Sequence, residues 1–162
     1  MICPWEKMGG LRDGKFSRDS IDGAGWRGKL CMVNVKGNAT REGIMYDVVT
    51  GSPEEMPAGM LFGWRGPAAA MDEETIYCVD EAKGVLRKYD SGKDRWVEVL
   101  KSERLRGAEQ ITAGGGRVCV VCGGGIVVVG VTVARPRLWE VDLPLGFEVV
   151  SVHTLPRMSH HP

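Results

Sequence analysis

The chain has 162 residues, which is enough for one domain with a buried core. Its 21 basic and 21 acidic residues cancel, and no basic block stands out, which argues against binding nucleic acid by neutralising phosphates. No segment reaches the roughly 20 apolar residues of a membrane-spanning helix. We therefore expect neither nucleic acid nor a membrane among the partners.

The N-terminus and the cysteines bear on the compartment. The first residues, MICPWEKMGG, lack the basic and long apolar regions of a secretory signal. The five cysteines are an odd number, which favours a reducing compartment and free thiols in a chain without an export signal. We expect cytoplasmic and/or nuclear localisation.

Glycine is the strongest compositional anomaly, with 23 residues, and there are 8 prolines. Glycines recur at short intervals, valine-rich segments lie between them, and long helical patterns are absent. This spacing of glycines is typical of many short β-strands connected by tight turns.

The strand patterns repeat along the chain. Three apolar segments align at intervals of 46 and 42 residues: GKLCMVNV (28–35), ETIYCVDE (74–81) and GRVCVVCG (116–123). A Tyr-Asp pair follows the first two segments, and we expect Trp139–Asp142 in the corresponding place of the third. A further strand pattern then recurs at 5–8, 53–57 and 96–100, roughly continued by 147–149.

A period in the low-to-mid forties, with several short strands per unit, is typical of a β-propeller blade. We predict an all-β fold, a partial propeller over residues 1–158 with about three four-stranded blades and the outer strand of a preceding blade. In chain order, the predicted elements are the trailing strand (1–16), the blades (17–64, 65–105 and 106–158) and a tail (159–162).

Propellers close with about four to eight blades. Three blades would leave apolar flanks exposed. We therefore expect either a truncated product of a larger protein or a chain that associates with itself.

The cysteines are interpreted as core residues. Cys119 and Cys122 lie three apart on a predicted strand, so their side chains point to opposite faces. No second Cys-x-x-Cys motif completes the four ligands of a structural zinc site. Cys31 and Cys119 share a repeat position with Tyr77, which indicates a small apolar side chain within a blade.

The glycine runs are interpreted as turns. Gly114–Gly116 fall where the other repeats have a hairpin, and glycine adopts the positive φ that such turns require. Gly123–Gly125 lack the following Lys and Ser/Thr of a phosphate-binding loop, and no helical pattern follows.

Two segments resemble the kelch repeat: RVCVVCGGG (117–125) is similar to its apolar strand with diglycine, and YDSGKDRW (89–96) to its Tyr-to-Trp spacing. Four longer stretches resemble the C-terminal part of plant F-box/kelch-repeat proteins of the Skp-interacting group: GWRGKLCMVNVKG, MDEETIYCVDEAKGVLRKYD, ERLRGAEQITAGGGRVCVVCGGG and HTLPRMS. The diglycine is missing after Val79, and Pro53 stands where the repeat has tryptophan.

This resemblance implies a substrate receptor of a Skp-cullin-F-box (SCF) ubiquitin ligase. In that family the kelch propeller binds target proteins on its rim, and an F-box binds the Skp-type adaptor. No F-box is recognised in this chain, so adaptor binding is expected only through an F-box outside it. The alternative is a stand-alone kelch interaction or scaffold protein.

An enzyme is the least favoured interpretation. Some kelch proteins are copper oxidases or iron-dependent specifier proteins, but those need ligands that converge on the propeller face. The only histidines are His153, His160 and His161, all near the C-terminus, so no Ser-His-Asp set can be assembled. We predict no catalytic residue, no metal and no cofactor.

Three arginines are the best candidates for binding a partner. Arg18, Arg65 and Arg106 lie 47 and 41 residues apart, in the connections between successive blades. Equivalent loops of a propeller project from one face, and guanidinium groups bind carboxylates or phosphates. We predict that they form part of a partner-binding rim, with Trp26 and Trp64 as aromatic anchors. The alternative is a set of structural ion pairs or solvated loops for the arginines, and packing between adjacent blades for the tryptophans.

Overall fold

The protein is described by a computed structural model over residues 21–34 and 42–155. Twelve strands form three antiparallel sheets of four strands, with the strands of each sheet in chain order. The all-β prediction with four-stranded blades is therefore confirmed. The strands are β1 (Ile21–Trp26), β2 (Lys29–Asn34), β3 (Gly43–Asp47), β4 (Ser52–Glu55), β5 (Ala68–Met71), β6 (Thr75–Asp80), β7 (Val85–Asp90), β8 (Arg95–Lys101), β9 (Ala108–Gly114), β10 (Arg117–Cys122), β11 (Gly125–Gly130) and β12 (Arg137–Val141).

Helical structure is confined to the connections between sheets in the described part of the chain. The first connection, from β4 to β5, contains α1 (Ala58–Gly63). The second, from β8 to β9, contains a single 3-10 turn (Glu103–Leu105), in which the Arg104 N–H donates a hydrogen bond to the Ser102 side chain. Neither element contributes to a sheet, so the strands alone define the architecture.

The glycine runs form the tight hairpins of the third sheet. Gly115 and Gly116 have φ of 58° and 75° between β9 and β10, and Gly123 and Gly124 have φ of 55° and 80° between β10 and β11. Positive φ at two successive residues matches the twist of paired strands, and glycine adopts it without steric strain. The predicted turns at these positions are confirmed.

The sheets pack face to face through equivalent positions. One hydrophobic core lies between the first and second sheets, and another between the second and third. Positions related by the sequence repeat face the same way in successive sheets, because alternate residues of a strand point to opposite faces. The equivalent pairs are Cys31 with Tyr77 and Val33 with Val79 on the side facing the next sheet, and Ile76 with Val118 and Cys78 with Val120 on the side facing the preceding sheet.

The first strand of each sheet lies against the first strand of the next. β1 contacts β5, and β5 contacts β9. The same packing step occurs twice and joins the three sheets, which is the relation expected of neighbouring propeller blades.

The sequence-based register of the third repeat is wrong. Trp139 lies in β12 and pairs with β11, just as Trp96 of β8 pairs with Tyr89 of β7. Trp139 therefore lies in an outer strand, one residue after Leu138, the equivalent of Trp96, and it does not occupy the place of the Tyr-Asp pair. The prediction overlooked β11, because its sequence GIVVVG has no aromatic residue to mark it. Residues 147–149, expected to continue the series of outer strands, form no strand.

The three sheets span residues 21–55, 68–101 and 108–141, and each span falls inside one predicted blade range. After β12, the described residues extend across the third sheet without joining it. There, Gln110 Nε2 donates a hydrogen bond to the carbonyl oxygen of Val150 at 2.9 Å. The predicted trailing strand (1–16) and tail (159–162) lie outside the described residues.

Gly66 provides a test of how tightly the connection from α1 to β5 packs. A Cβ atom at this position would lie 2.1 Å from the carbonyl oxygen of Val79, a backbone atom that cannot move away easily. We expect Gly66→Ala to lower the free energy of unfolding by about 2 kcal/mol, measured by urea denaturation with tryptophan fluorescence.

Gly25→Ala is the matched control, because a Cβ at Gly25 meets nothing within 4 Å. We expect that substitution to change the free energy of unfolding by less than about 0.5 kcal/mol. Equal urea midpoints for the two variants would contradict the close approach at Gly66.

Candidate functional site

Trp64, predicted as a surface anchor, is completely buried between α1 and β5. Its indole Nε1 donates a hydrogen bond to Asp22 Oδ2 at 2.9 Å. Its ring meets that of Trp96 edge to face, with 6.1 Å between the ring centroids. The side chain thus fills the core between the first two sheets and offers no ring surface to a partner.

Trp26 is also buried, with 9% of its surface exposed. Its Nε1 donates a hydrogen bond to the carbonyl oxygen of Glu74 at 2.8 Å, and its ring packs edge to face on Tyr89 of the second sheet. The neighbouring Arg27 adds an ion pair with the Glu74 carboxylate at 3.2 Å. The two predicted aromatic anchors therefore hold the first and second sheets together, which is a packing role.

Asp22 is the acidic partner of this packing. Burial raises the pKa of its carboxyl group from 3.8 to about 6. Hydrogen bonds from the Trp64 indole and from the backbone of Gly23 and Ala68 oppose that shift without cancelling it. The Asp22 carboxyl group thus accepts the hydrogen bond of a buried indole N–H. Ionisation of this buried carboxyl group is unfavourable, which is why its pKa is raised.

The connections that carry Arg65 and Arg106 both contact the end of β6 and the turn that follows it. The residue after Arg65 is Gly66, which packs against the end of β6. The residue after Arg106 is Gly107, whose N–H donates a hydrogen bond to the carbonyl oxygen of Glu81 at 2.9 Å. Both connections therefore meet the turn between β6 and β7. Arg18, the third predicted arginine, lies outside the described residues.

The two arginines differ in their local contacts, although both are exposed. Arg106 Nε lies 2.8 Å from a carboxylate oxygen of Glu103, in an ion pair whose side chains are 53% and 77% exposed. Such an exposed pair contributes little to stability and can exchange for a partner's carboxylate. Among the described residues Arg65 forms no ion pair, and its guanidinium carbon lies 5.3 Å from the centre of the Phe62 ring.

Phe62 is a surface residue that the sequence reasoning missed. It lies on α1 and is 76% exposed. The available signal was the cluster of apolar residues in MLFGW (60–64), but a helix this short and glycine-flanked is not predictable from periodicity. α1 therefore adds an aromatic ring beside Arg65 that the repeat pattern did not indicate.

The four cysteines in the described part of the chain form no disulfide bond. Cys31 and Cys78 are buried in the core, and burial raises the pKa of their thiols to about 11 and about 12. Cys119 and Cys122 are half-buried thiols, with raised pKa values caused by burial. A thiol with a raised pKa is a poor nucleophile, which fits the packing role.

Residues 21–34 and 42–155 contain no group of three or more His, Cys, Asp or Glu side chains placed to hold a metal ion. No helix in the same residues is long and apolar enough to cross a membrane.

No protein-family model matches the chain. The F-box/kelch-repeat protein SKIP25 of Arabidopsis thaliana is 54% identical to it over 160 residues, or 96% of the chain. This match confirms the resemblance to plant F-box/kelch-repeat proteins. The chain spans 40% of the length of that curated relative, and three repeated four-stranded sheets fit the kelch part of its name.

The raised pKa of Asp22 makes a prediction about pH. Because the folded-state pKa, about 6, lies above the ordinary value of 3.8, the proton stabilises the fold below about pH 4, and this stabilisation is lost as the pH rises through 6. Asp22→Asn keeps an oxygen acceptor for Trp64 but cannot ionise. We expect the variant to match the wild type near pH 4 and to exceed it by on the order of 2 kcal/mol at pH 7.

Urea denaturation at pH 4, 5, 6 and 7 measures this difference. Subtracting the wild-type curve from that of the variant removes the contributions of carboxylates that both proteins share. A difference that stays constant over this pH range would show that Asp22 does not titrate as proposed.

Proposed function

We propose that the chain is a protein-interaction module, the substrate-recognition part of an SCF-type ubiquitin-ligase receptor, without catalysis of its own. The similarity to an F-box/kelch-repeat protein supports the class of protein. Its partners would be target proteins bound on the propeller rim and, through an F-box outside these repeats, a Skp-type adaptor. The corresponding location is the cytoplasm and/or nucleus.

The observation that supports the binding surface is that the connections carrying two exposed arginines both contact the end of β6 and the turn that follows it. Arg65 and Arg106 precede glycines that both contact the turn between β6 and β7, so the backbone fixes where each side chain begins. Arginines on an ordered backbone bind carboxylates with less loss of conformational freedom than arginines on a free loop. We propose that Arg65 and Arg106 bind acidic groups of the target, together with Arg18 in the equivalent connection.

The test uses the complete protein encoded by the gene, tagged and expressed in plant cells, as wild type, Arg65→Ala/Arg106→Ala and Arg95→Ala. Quantitative mass spectrometry then measures the co-purifying proteins. Arg95 is the matched control, because it is an exposed arginine at the other end of the second sheet, at the start of β8. We expect the double variant to lose target proteins by about tenfold or more, whereas the control retains them.

The Skp-type adaptor is the internal reference of the same experiment. Because it would bind through the F-box, we expect equal amounts with all three proteins. Absence of the adaptor from the wild-type complex would contradict the receptor role and favour a stand-alone scaffold. Adaptor present with undiminished targets in the double variant would instead contradict the role of the arginines.

A further inference from the structure

α1 is an addition to the repeated unit. The connection from β4 to β5 covers residues 56–67 and includes this helix, whereas the connection from β8 to β9 covers only 102–107. The shorter connection makes the same step from the outer strand of one sheet to the first strand of the next. Joining the sheets therefore does not require a helix, and the extra residues are available for another role.

The backbone of α1 is held in place by the second sheet. The Asp94 carboxylate accepts hydrogen bonds from the N–H groups of Gly59 and Met60, at 3.0 and 3.1 Å. At the same time, Trp96 Nε1 donates a hydrogen bond to the carbonyl oxygen of Met60 at 2.9 Å. The Met60 side chain is completely buried. These contacts fix both the position and the orientation of a helix that would not be stable alone.

Two glycines let the helix approach this closely. A Cβ on Gly59 would lie 1.8 Å from the carbonyl oxygen of Asp94, and a Cβ on Gly63 would lie 2.0 Å from the Trp96 ring. α1 thus lies against the neighbouring sheet without space for an intervening side chain. This contact determines which face of the helix points away from the sheet.

The fixed helix presents Phe62 outward. The ring is 76% exposed, and the Arg65 guanidinium lies over it, with 5.3 Å from the guanidinium carbon to the ring centre. Arg65 has no ion pair among the described residues, so its N–H donors are available to an acceptor. An exposed aromatic ring and a free guanidinium therefore lie side by side on a backbone that is already ordered.

We propose that Phe62 and Arg65 form a docking site for a target segment that carries a carboxylate next to an apolar side chain. The carboxylate binds the Arg65 guanidinium, and the apolar side chain packs on the exposed Phe62 ring. This inference rests on the proposed function, and it specifies the chemistry of the partner and adds Phe62 to the site.

Physical reasons favour this pair as the centre of an interface. Aromatic and arginine side chains supply a large share of the binding energy where they are covered by a partner. Because α1 is anchored before binding, little conformational freedom is lost when the partner docks. The Phe62 ring also restricts Arg65, and a guanidinium held over a ring keeps its in-plane N–H groups free for a carboxylate.

The test selects ligands from a phage-displayed library of random twelve-residue peptides on the purified 162-residue chain. We expect the enriched peptides to share an Asp or Glu within two positions of an apolar residue. Binding of a synthetic peptide from this set should weaken at least tenfold with Phe62→Ala and with Arg65→Ala, measured by fluorescence anisotropy.

Matched controls exist for both substitutions. Phe147 is 73% exposed and lies after β12, and Arg95 is an exposed arginine at the start of β8. Phe147→Ala and Arg95→Ala should leave the affinity within about twofold. A charge exchange adds a second criterion. Arg65→Glu should abolish binding of the acidic peptide. The same variant should bind a peptide in which lysine replaces the acidic residue.

Several results would overturn the proposal. These are enriched peptides without a carboxylate, no enriched peptides at all, or affinity that Phe62→Ala leaves unchanged. The proposed function is tested separately by adaptor co-purification and by the double arginine variant. Phe62→Ala is compared with these proteins in the co-purification assay. If Phe62→Ala retains the target proteins and Arg65→Ala/Arg106→Ala loses them, the docking site at Phe62 is rejected and the role of the two arginines is kept.

Discussion

The structure depends on the packing between the first and second sheets. Each sheet has apolar residues on both faces, so it cannot be stable in water without a neighbour on at least one of them. Buried tryptophans make this contact specific, because each indole N–H must find an acceptor in the adjoining sheet or connection. Trp26 finds the carbonyl oxygen of Glu74, and Trp64 finds the carboxylate of Asp22. These bonds fix how far one sheet is rotated and shifted against the next.

The same packing determines which surfaces are available to a partner. The carbonyl oxygens of Glu73 and Glu74 are held by the preceding sheet, and the turn between β6 and β7 is held by the connection that follows β8. Turns and connections that are ordered by their neighbours provide fixed positions for exposed side chains. Binding residues on loops require a rigid scaffold beneath them, and the packed sheets provide one.

Local patterns predicted the strands, and long-range contacts determined the rest. Glycine runs and the spacing of apolar segments were sufficient for the hairpins, because turn chemistry and alternation act over a few residues. The third repeat was misaligned because β11 lacks an aromatic marker. Trp64 was expected on the surface, but its burial depends on Asp22 and Trp96, which are distant in sequence. α1 was missed because its stability comes from Asp94 of the next sheet and not from its own sequence.

The most direct test of this account measures contacts between the aromatic rings of neighbouring sheets in solution by nuclear Overhauser effects. The account predicts cross-peaks between Trp26 and Tyr89, whose ring centroids are 5.8 Å apart although the residues belong to different sheets. Tyr89 and Trp96, 5.4 Å apart within the second sheet, provide the internal reference. Cross-peaks within the sheet but none between the sheets would contradict the packing from which the whole architecture follows.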